Sequence, residues 1–182
     1  IFYSDYYPRD GKGAGAWCGR FRPQSYDGAM RVQPIVTNVC NMTLPTEEGG
    51  PALQTVDNVL TMFHEFGHAL HSFFRDVQYE GTGGVERDFV ELPSQINEHW
   101  AFEPEVLRQY ARHYRTGEVI PQELVEKIDA SSKYGQGFAT VEYLAASYVD
   151  LDLHYLTEMP KKLDVMKFQA EKMRKRGMPS QI

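Results

Sequence analysis

The chain has 182 residues, with 19 basic and 25 acidic side chains and a formal net charge of −6. Hydrophobic residues make up 42% of it, which is typical of a globular protein and excludes a disordered or collagen-like chain. The acidic balance argues against a nucleic-acid-binding protein, and no apolar run approaches the roughly 20 residues that cross a bilayer.

The first 54 residues predict strands and loops. The segment 31–41 is rich in β-branched residues and predicts a strand. Pro34 lies within it, and because proline cannot donate to a ladder, we expect this strand at the edge of a sheet. Such an edge can bind an extended peptide by strand addition, although an ordinary edge strand fits the sequence equally well.

Residues 55–76 predict an amphipathic helix, since their apolar side chains recur at helical spacing on one face. Thr55 or Asp57 can cap its start. The apolar positions are Val56, Val59, Leu60, Phe63, Phe66, Gly67, Leu70 and Phe74.

A glycine-containing loop follows, and then a helix over about 89–102, in which Pro93 is tolerated only in the first turn. Prolines at first-turn positions and glycines just past the ends predict further helices. Their ranges are 104–115, 121–131, 137–157 and 163–176. We therefore expect a single domain over 1–182, with a small N-terminal sheet, one helix at 55–76 and a helical part over 89–176.

The pattern that indicates chemistry is His-Glu-Phe-Gly-His at residues 64–68. His64 and His68 lie about 40° apart around the helix, so both imidazoles can bind one zinc ion from the same side. Glu65 lies about 60° from His68, beside the ion, where it can take a proton from an activated water. The alternative is two surface histidines on an amphipathic helix, but the pattern falls on a helix as this motif requires.

A catalytic zinc site needs a third protein ligand and an open position. Three glutamates near the second helix compete for that role, namely Glu86, Glu91 and Glu98. Spacing favours Glu91 modestly, since an anion in the first turn of a helix is stabilised by the helix dipole.

Supporting roles remain open at this point. We interpret His71 as a packing or supporting residue, because it lies one turn beyond His68 along the helix axis. Asp88 and Glu98 can hydrogen-bond the outer nitrogens of the histidines. Solvent exposure, or an ion pair with Arg87, fits these two acids equally well.

Two motifs resemble those of the thimet oligopeptidase family of zinc peptidases. They are residues 63–71, FHEFGHALH, and residues 87–95, RDFVELPSQ. The resemblance implies that Glu91 is the third zinc ligand, beside His64 and His68, and that Glu65 is the catalytic base. Segments 15–17, 95–100 and 135–146 are closest to the bacterial dipeptidyl carboxypeptidase branch.

The resemblance implies a mainly α, zincin-like α+β fold in which the helix with the histidines packs beneath a small sheet. It also implies one Zn²⁺ per chain and short peptides as substrates, from which C-terminal dipeptides are released. An endo-acting oligopeptidase of the same family and a non-catalytic metal-binding module are the alternatives. We expect no nucleic-acid or membrane partner.

We also expect the chain to be a catalytic-core fragment, since it begins at Ile1 rather than methionine and ends at Ile182. Family members are longer, with a helical lobe before this region and a substrate-binding segment after it. The isolated fragment is then expected to bind zinc and to be inactive or nearly so. Cys18 and Cys40 are too few for a disulfide framework, and with no signal-peptide pattern they indicate a cytoplasmic protein.

Overall fold

The computed structural model describes residues 1–158 and 160–178, so the chain end at Ile182 lies outside the described residues. The chain is mainly helical with a small mixed sheet. The strands are β1 (Phe2–Asp5), β2 (Trp17–Arg22), β3 (Ser25–Asp27), β4 (Met30–Val32) and β5 (Ile35–Val39). The helices are α1 (Val56–Phe74), α2 (Leu92–Glu98), α3 (Pro104–Tyr110), α4 (Gln122–Ser132), α5 (Gln136–His154) and α6 (Val165–Lys175).

Two compact units divide the chain, residues 1–120 and 121–182. The expectation of a single domain over 1–182 stays a prediction. None of the helices in the described ranges is both long enough and apolar enough to span a membrane.

The expected edge strand at 31–41 is wrong. This segment divides into β4 and β5, and β5 is the central strand of a three-stranded sheet, parallel to β1 and antiparallel to β2. Pro34 falls between β4 and β5, so its missing N–H takes no hydrogen bond from the ladder. The edge strands of this sheet are instead β1 and β2.

Helix α1 begins after Thr55, whose hydroxyl accepts a hydrogen bond from the Asn58 N–H at 3.1 Å and so caps the helix. The helix packs on the sheet through the Phe2 ring, whose centroid lies 5.7 Å from that of Phe66. When the buried Asn38 amide on β5 is oriented so that both of its ends are satisfied, it donates to the Glu65 carbonyl and accepts from the Phe66 N–H, each at 3.2 Å. The turn of α1 that carries Glu65 is therefore tied to the centre of the sheet.

Helix α2 is shorter than the predicted helix over 89–102 and ends in a 3₁₀ turn, His99–Phe102. Pro93 lies in its first turn, where its missing N–H costs no helical hydrogen bond. Helix α2 crosses α1 at Gly67, where the two backbones approach too closely for a side chain. The Asn97 amide of α2 also donates to the Phe63 carbonyl of α1 at 2.7 Å, and this hydrogen bond stabilises the crossing of the two helices.

Helix α3 ends earlier than the predicted 104–115. Beyond Tyr110 the chain turns back, and Arg112 pairs with Val119 in an isolated antiparallel bridge. The turn contains Gly117 at a φ of 73°, a left-handed conformation that glycine adopts without steric cost. The prediction of a helix as far as residue 115 is therefore wrong, because this local turn follows Tyr110.

In the second unit, α5 packs against α6. The carboxylate of Asp152 accepts two hydrogen bonds from the Arg176 guanidinium, at 2.5 and 3.0 Å. Helix α6 is capped by Asp164, which accepts from the Lys167 N–H at 3.0 Å. The bidentate ion pair between Asp152 and Arg176 joins the two helices, and this is the strongest geometry for such a pair.

Candidate metal centre and its cleft

Three possible metal ligands converge where α1 meets the start of α2. Glu91 Oε2 lies 3.1 Å from His64 Nε2 and 3.2 Å from His68 Nε2, and the two imidazole rings are 5.0 Å apart. The three side chains form the one cluster of at least three possible ligands found among the described residues. Nitrogen and oxygen ligands about 2 Å from one tetrahedral zinc ion lie about 3.3 Å apart, so the spacing fits a single zinc ion.

The hydrogen bond between His64 and Glu98 determines the tautomer of the His64 imidazole. His64 Nδ1 lies 2.6 Å from Glu98 Oε1. Because the carboxylate only accepts, Nδ1 carries the proton, and in a neutral imidazole Nε2 is then unprotonated. Nε2 then faces an oxygen of Glu91, and a cation between the two atoms, either a proton or a metal ion, makes so close an approach favourable.

The surroundings keep the other two ligands in forms that bind a cation. Burial lowers the pKa of His68 and favours its neutral form. The Ser94 hydroxyl donates to Glu91 Oε2 at 2.8 Å, and this hydrogen bond is the main cause of the lowered pKa of Glu91. Deprotonated ligands compete best for a metal ion, so both effects support metal binding.

Glu65 lies in the same cleft but outside the ligand cluster. It is 5% exposed, and its buried Oε2 atom has no hydrogen-bond partner among the described residues. Burial raises the pKa of Glu65, the charge of His64 lowers it, and that of Glu91 raises it. A buried carboxylate with a free oxygen and a raised pKa is suited to accept a proton from a water or ligand in the cleft.

The cleft beside these residues has a volume of about 680 Å³. Residues of β2, of α1 and of the loop over 82–85 line it. Its lining residues include Trp17, Cys18, Arg20, His71, Arg75 and Asp76. Burial is also the main cause that raises the pKa of Cys18 to about 11, so its thiol stays protonated and a poor nucleophile near neutral pH.

The comparison with known proteins gives the family. Residues 1–181 match the model of Peptidase family M3. The chain belongs to peptidase family M3. The resemblance expected from the two motifs is thereby confirmed.

Relatives of this M3 chain include two dipeptidyl carboxypeptidases. That of Escherichia coli (strain K12) is 44% identical over 171 residues, which are 93% of this chain and 25% of the relative. That of Salmonella typhimurium is 43% identical over 173 residues, 94% of this chain and 25% of the relative. Oligopeptidase A of Escherichia coli is 39% identical over 160 residues, which are 84% of this chain and 23% of the relative. The M3 chain thus spans about a quarter of the length of these curated relatives.

The structure shows where each of the acids lies that the sequence spacing offered as a possible third metal ligand or supporting residue. Glu91 lies beside the Nε2 atoms of the two histidines, and Glu98 accepts a hydrogen bond from Nδ1 on the other side of the His64 ring. Glu86 and Asp88 instead line a second, smaller cavity beside His71.

Sequence reasoning on this M3 chain missed four residues of the site. They are Cys18, Arg20, Arg75 and Ser94. Cys18, Arg20 and Arg75 lie outside the two motifs, and Ser94 lies within residues 87–95 without an assigned role there. Only their positions in the folded chain show their involvement.

Proposed function

We propose that this chain is the zinc-binding core of a peptidase that cleaves short peptides and releases C-terminal dipeptides. The observation that supports the proposal most is the convergence of His64, His68 and Glu91 beside the buried carboxylate of Glu65. Family membership supports peptide hydrolysis, and the relatives named dipeptidyl carboxypeptidase support the release of dipeptides.

The mechanism that we propose uses Glu65 as the general base. Zinc held by the three ligands supplies a Lewis acid that polarises the scissile carbonyl and lowers the pKa of a nearby water. Glu65 accepts the proton of the attacking water on its free oxygen and then donates it to the leaving amine. Its raised pKa strengthens it as a base, while Glu98 holds the His64 ring in the tautomer that binds metal.

Strand β2 is the proposed support for the peptide. It lies at an edge of the sheet, and its residues Trp17, Cys18 and Arg20 line the cleft. A peptide that adds to this edge in extended form gains backbone hydrogen bonds and carries its scissile bond past the metal ligands.

Two further proposals concern the activity of the 182 residues alone and the location of the protein in the cell. The chain spans about a quarter of its relatives, so we expect the 182 residues alone to bind zinc but to turn over peptides slowly, if at all. Cys18 and Cys40 are both free thiols, which supports a cytoplasmic location. Peptide turnover by the purified 182-residue chain tests its expected low activity, and cell fractionation tests the location.

The central experiment measures zinc content and hydrolysis together. We expect one zinc per wild-type chain by elemental analysis, loss of the metal in His64→Ala, and retention in the control His154→Ala, whose histidine is exposed on α5. In the full-length enzyme, Glu65→Gln should keep zinc and lose hydrolysis by about 10²- to 10⁴-fold. Unchanged zinc in His64→Ala would contradict the ligand assignment, and unchanged hydrolysis in Glu65→Gln would remove Glu65 from the mechanism.

The relatives named oligopeptidase A favour a second candidate, an endo-acting oligopeptidase. Mass spectrometry of the products from matched peptides with free and amidated C-termini distinguishes the two. Dipeptides released only from the free-acid peptide support the first proposal. Internal cleavage of the amidated peptide supports the second.

A further inference from the structure

Two arginines border the cleft without a carboxylate partner. Arg20 extends from β2, and Arg75 follows the last residue of α1. Within the described residues, neither guanidinium has a carboxylate within 4.0 Å. The carboxylate of Asp76 also borders the cleft, but it accepts from the Tyr26 hydroxyl at 2.9 Å and lies 3.8 Å from Arg31.

Arg75 is held in place rather than free in solvent. It donates from Nη2 to the Glu80 carbonyl at 2.8 Å, and its buried Nε has no partner in the described part of the chain. The guanidinium packs against Gly83, where a Cβ atom would come 1.7 Å from its Cζ. A guanidinium fixed in this way loses little entropy when it binds a ligand.

The two arginines also repel each other. Burial is the main cause that lowers the pKa of Arg75, and the charge of Arg20 is the next. Two like charges beside a partly buried cleft are unfavourable until an anion binds between them, and planar guanidinium groups bind carboxylates best because both N–H groups can donate.

We propose that Arg20 and Arg75 bind a carboxylate of the peptide substrate and so determine which peptides the cleft accepts. The proposal rests on the peptidase function proposed above. Arg75 lies seven residues after His68, about 10 Å along the helix axis. Two extended residues span about 7 Å, and the arginine side chain covers the rest. The C-terminal carboxylate of a two-residue leaving group is therefore the group that the cleft selects.

The test measures binding separately from turnover. In zinc-loaded protein carrying Glu65→Gln, which cannot complete hydrolysis, calorimetry gives the Kd of a peptide with a free C-terminus and of its amide. We expect Arg20→Gln and Arg75→Gln each to weaken the free-acid peptide about ten-fold or more and to leave the amide unchanged. Arg75→Lys should restore part of the loss, because it keeps the charge without the planar fork.

Arg22→Gln is the matched control, since Arg22 lies on the same strand but donates to the Gln33 carbonyl. Zinc content and circular dichroism of every variant show whether its site is still folded. If the variants weaken the acid and the amide equally, or weaken neither, the arginines do not bind a carboxylate and the proposal is wrong.

A further pair of peptides identifies the source of the carboxylate. Both are C-terminally amidated, and they end in glutamate or glutamine. Arginine dependence restricted to the glutamate peptide assigns the arginines to a side-chain carboxylate and overturns the C-terminal assignment. A zinc-loaded full-length enzyme that cleaves none of the peptides would instead contradict the peptidase proposal, while the Kd values would still decide the role of the arginines.

Discussion

Gly67 of α1 and Ser94 of α2 lie so close that a Cβ atom at position 67 would come 2.6 Å from the Ser94 Cα and 2.5 Å from the Pro93 carbonyl oxygen. Both of these are backbone atoms, which cannot move without the helix. The absence of a side chain at Gly67 is therefore what allows the start of α2, with Glu91, to reach the two histidines of α1.

Replacing Gly67 should reduce both stability and zinc binding. In an open helix, Gly→Ala stabilises by about 1 kcal/mol. At position 67 the overlap with α2 outweighs that gain, since overpacking costs about 1–3 kcal/mol. We expect Gly67→Ala to lower the Tm and to weaken zinc binding as α2 moves away with Glu91, measured by thermal unfolding and by competition with a chelator.

Gly137→Ala is the control for this prediction. Gly137 lies in α5, and a Cβ there meets no atom within 4 Å. The Tm should be unchanged or higher, with the same zinc affinity as the wild type. A Gly67→Ala protein that matches the wild type in both measurements would show that the helices separate without consequence for the site.

The hydrogen bond from His64 Nδ1 to Glu98 should strengthen metal binding. The carboxylate holds the imidazole in one tautomer and makes Nε2 a better electron donor. Glu98→Gln keeps an acceptor oxygen but removes the charge, so we expect zinc affinity to fall about 10- to 100-fold. Chelator competition measures the affinity, and Glu105→Gln, on the exposed surface of α3, serves as the control. Equal affinities in the two variants would remove Glu98 from the site.

Ser94 should act on the metal centre by orienting Glu91. Its buried hydroxyl lies 2.8 Å from both the carboxylate Oε2 and the backbone carbonyl of Glu91. In Ser94→Ala the carboxylate is free to rotate, because about half of the Glu91 side chain is exposed. We expect zinc affinity to fall several-fold with a small change in Tm, whereas Ser147→Ala, which removes a hydroxyl on α5, should leave zinc affinity unchanged. An unaltered affinity in Ser94→Ala would exclude this orienting role.

The ion pair between Asp152 and Arg176 predicts a pH dependence of stability in the second unit. Hydrogen bonds from Arg176 are the main cause that holds the pKa of Asp152 below its usual value of 3.8. The folded state thus binds this proton less readily than the unfolded state, so the contribution is complete above about pH 5 and disappears as the pH falls below 3.8. We expect Asp152→Asn to lower the Tm at neutral pH and to converge with the wild type in acid.

A double mutant isolates that effect. In an Arg176→Gln background, Asp152→Asn should change the Tm much less, and the difference should no longer depend on pH in this range. The same pH-dependent difference in both backgrounds would show that a partner other than Arg176 is responsible.

The local elements were predictable from the sequence because their causes are local. The apolar period and the Thr55 cap predict α1 to within two residues at each end. The same reasoning failed for 31–41, because the position of a strand within a sheet depends on which distant strands pair with it. It also extended the helix after Pro104 too far, since a turn around Gly117 pairs Arg112 with Val119.

The sequence by itself determined the pair His64 and His68 and the place of Glu65 between them, because one helical turn relates all three. The resemblance of a second motif added Glu91. Only the tertiary structure decided that Glu98 lies behind His64, 34 residues away, and that Arg20 and Arg75 border one cleft. These relationships depend on how α1 crosses α2 and packs on the sheet, and no local periodicity in the chain encodes such crossings.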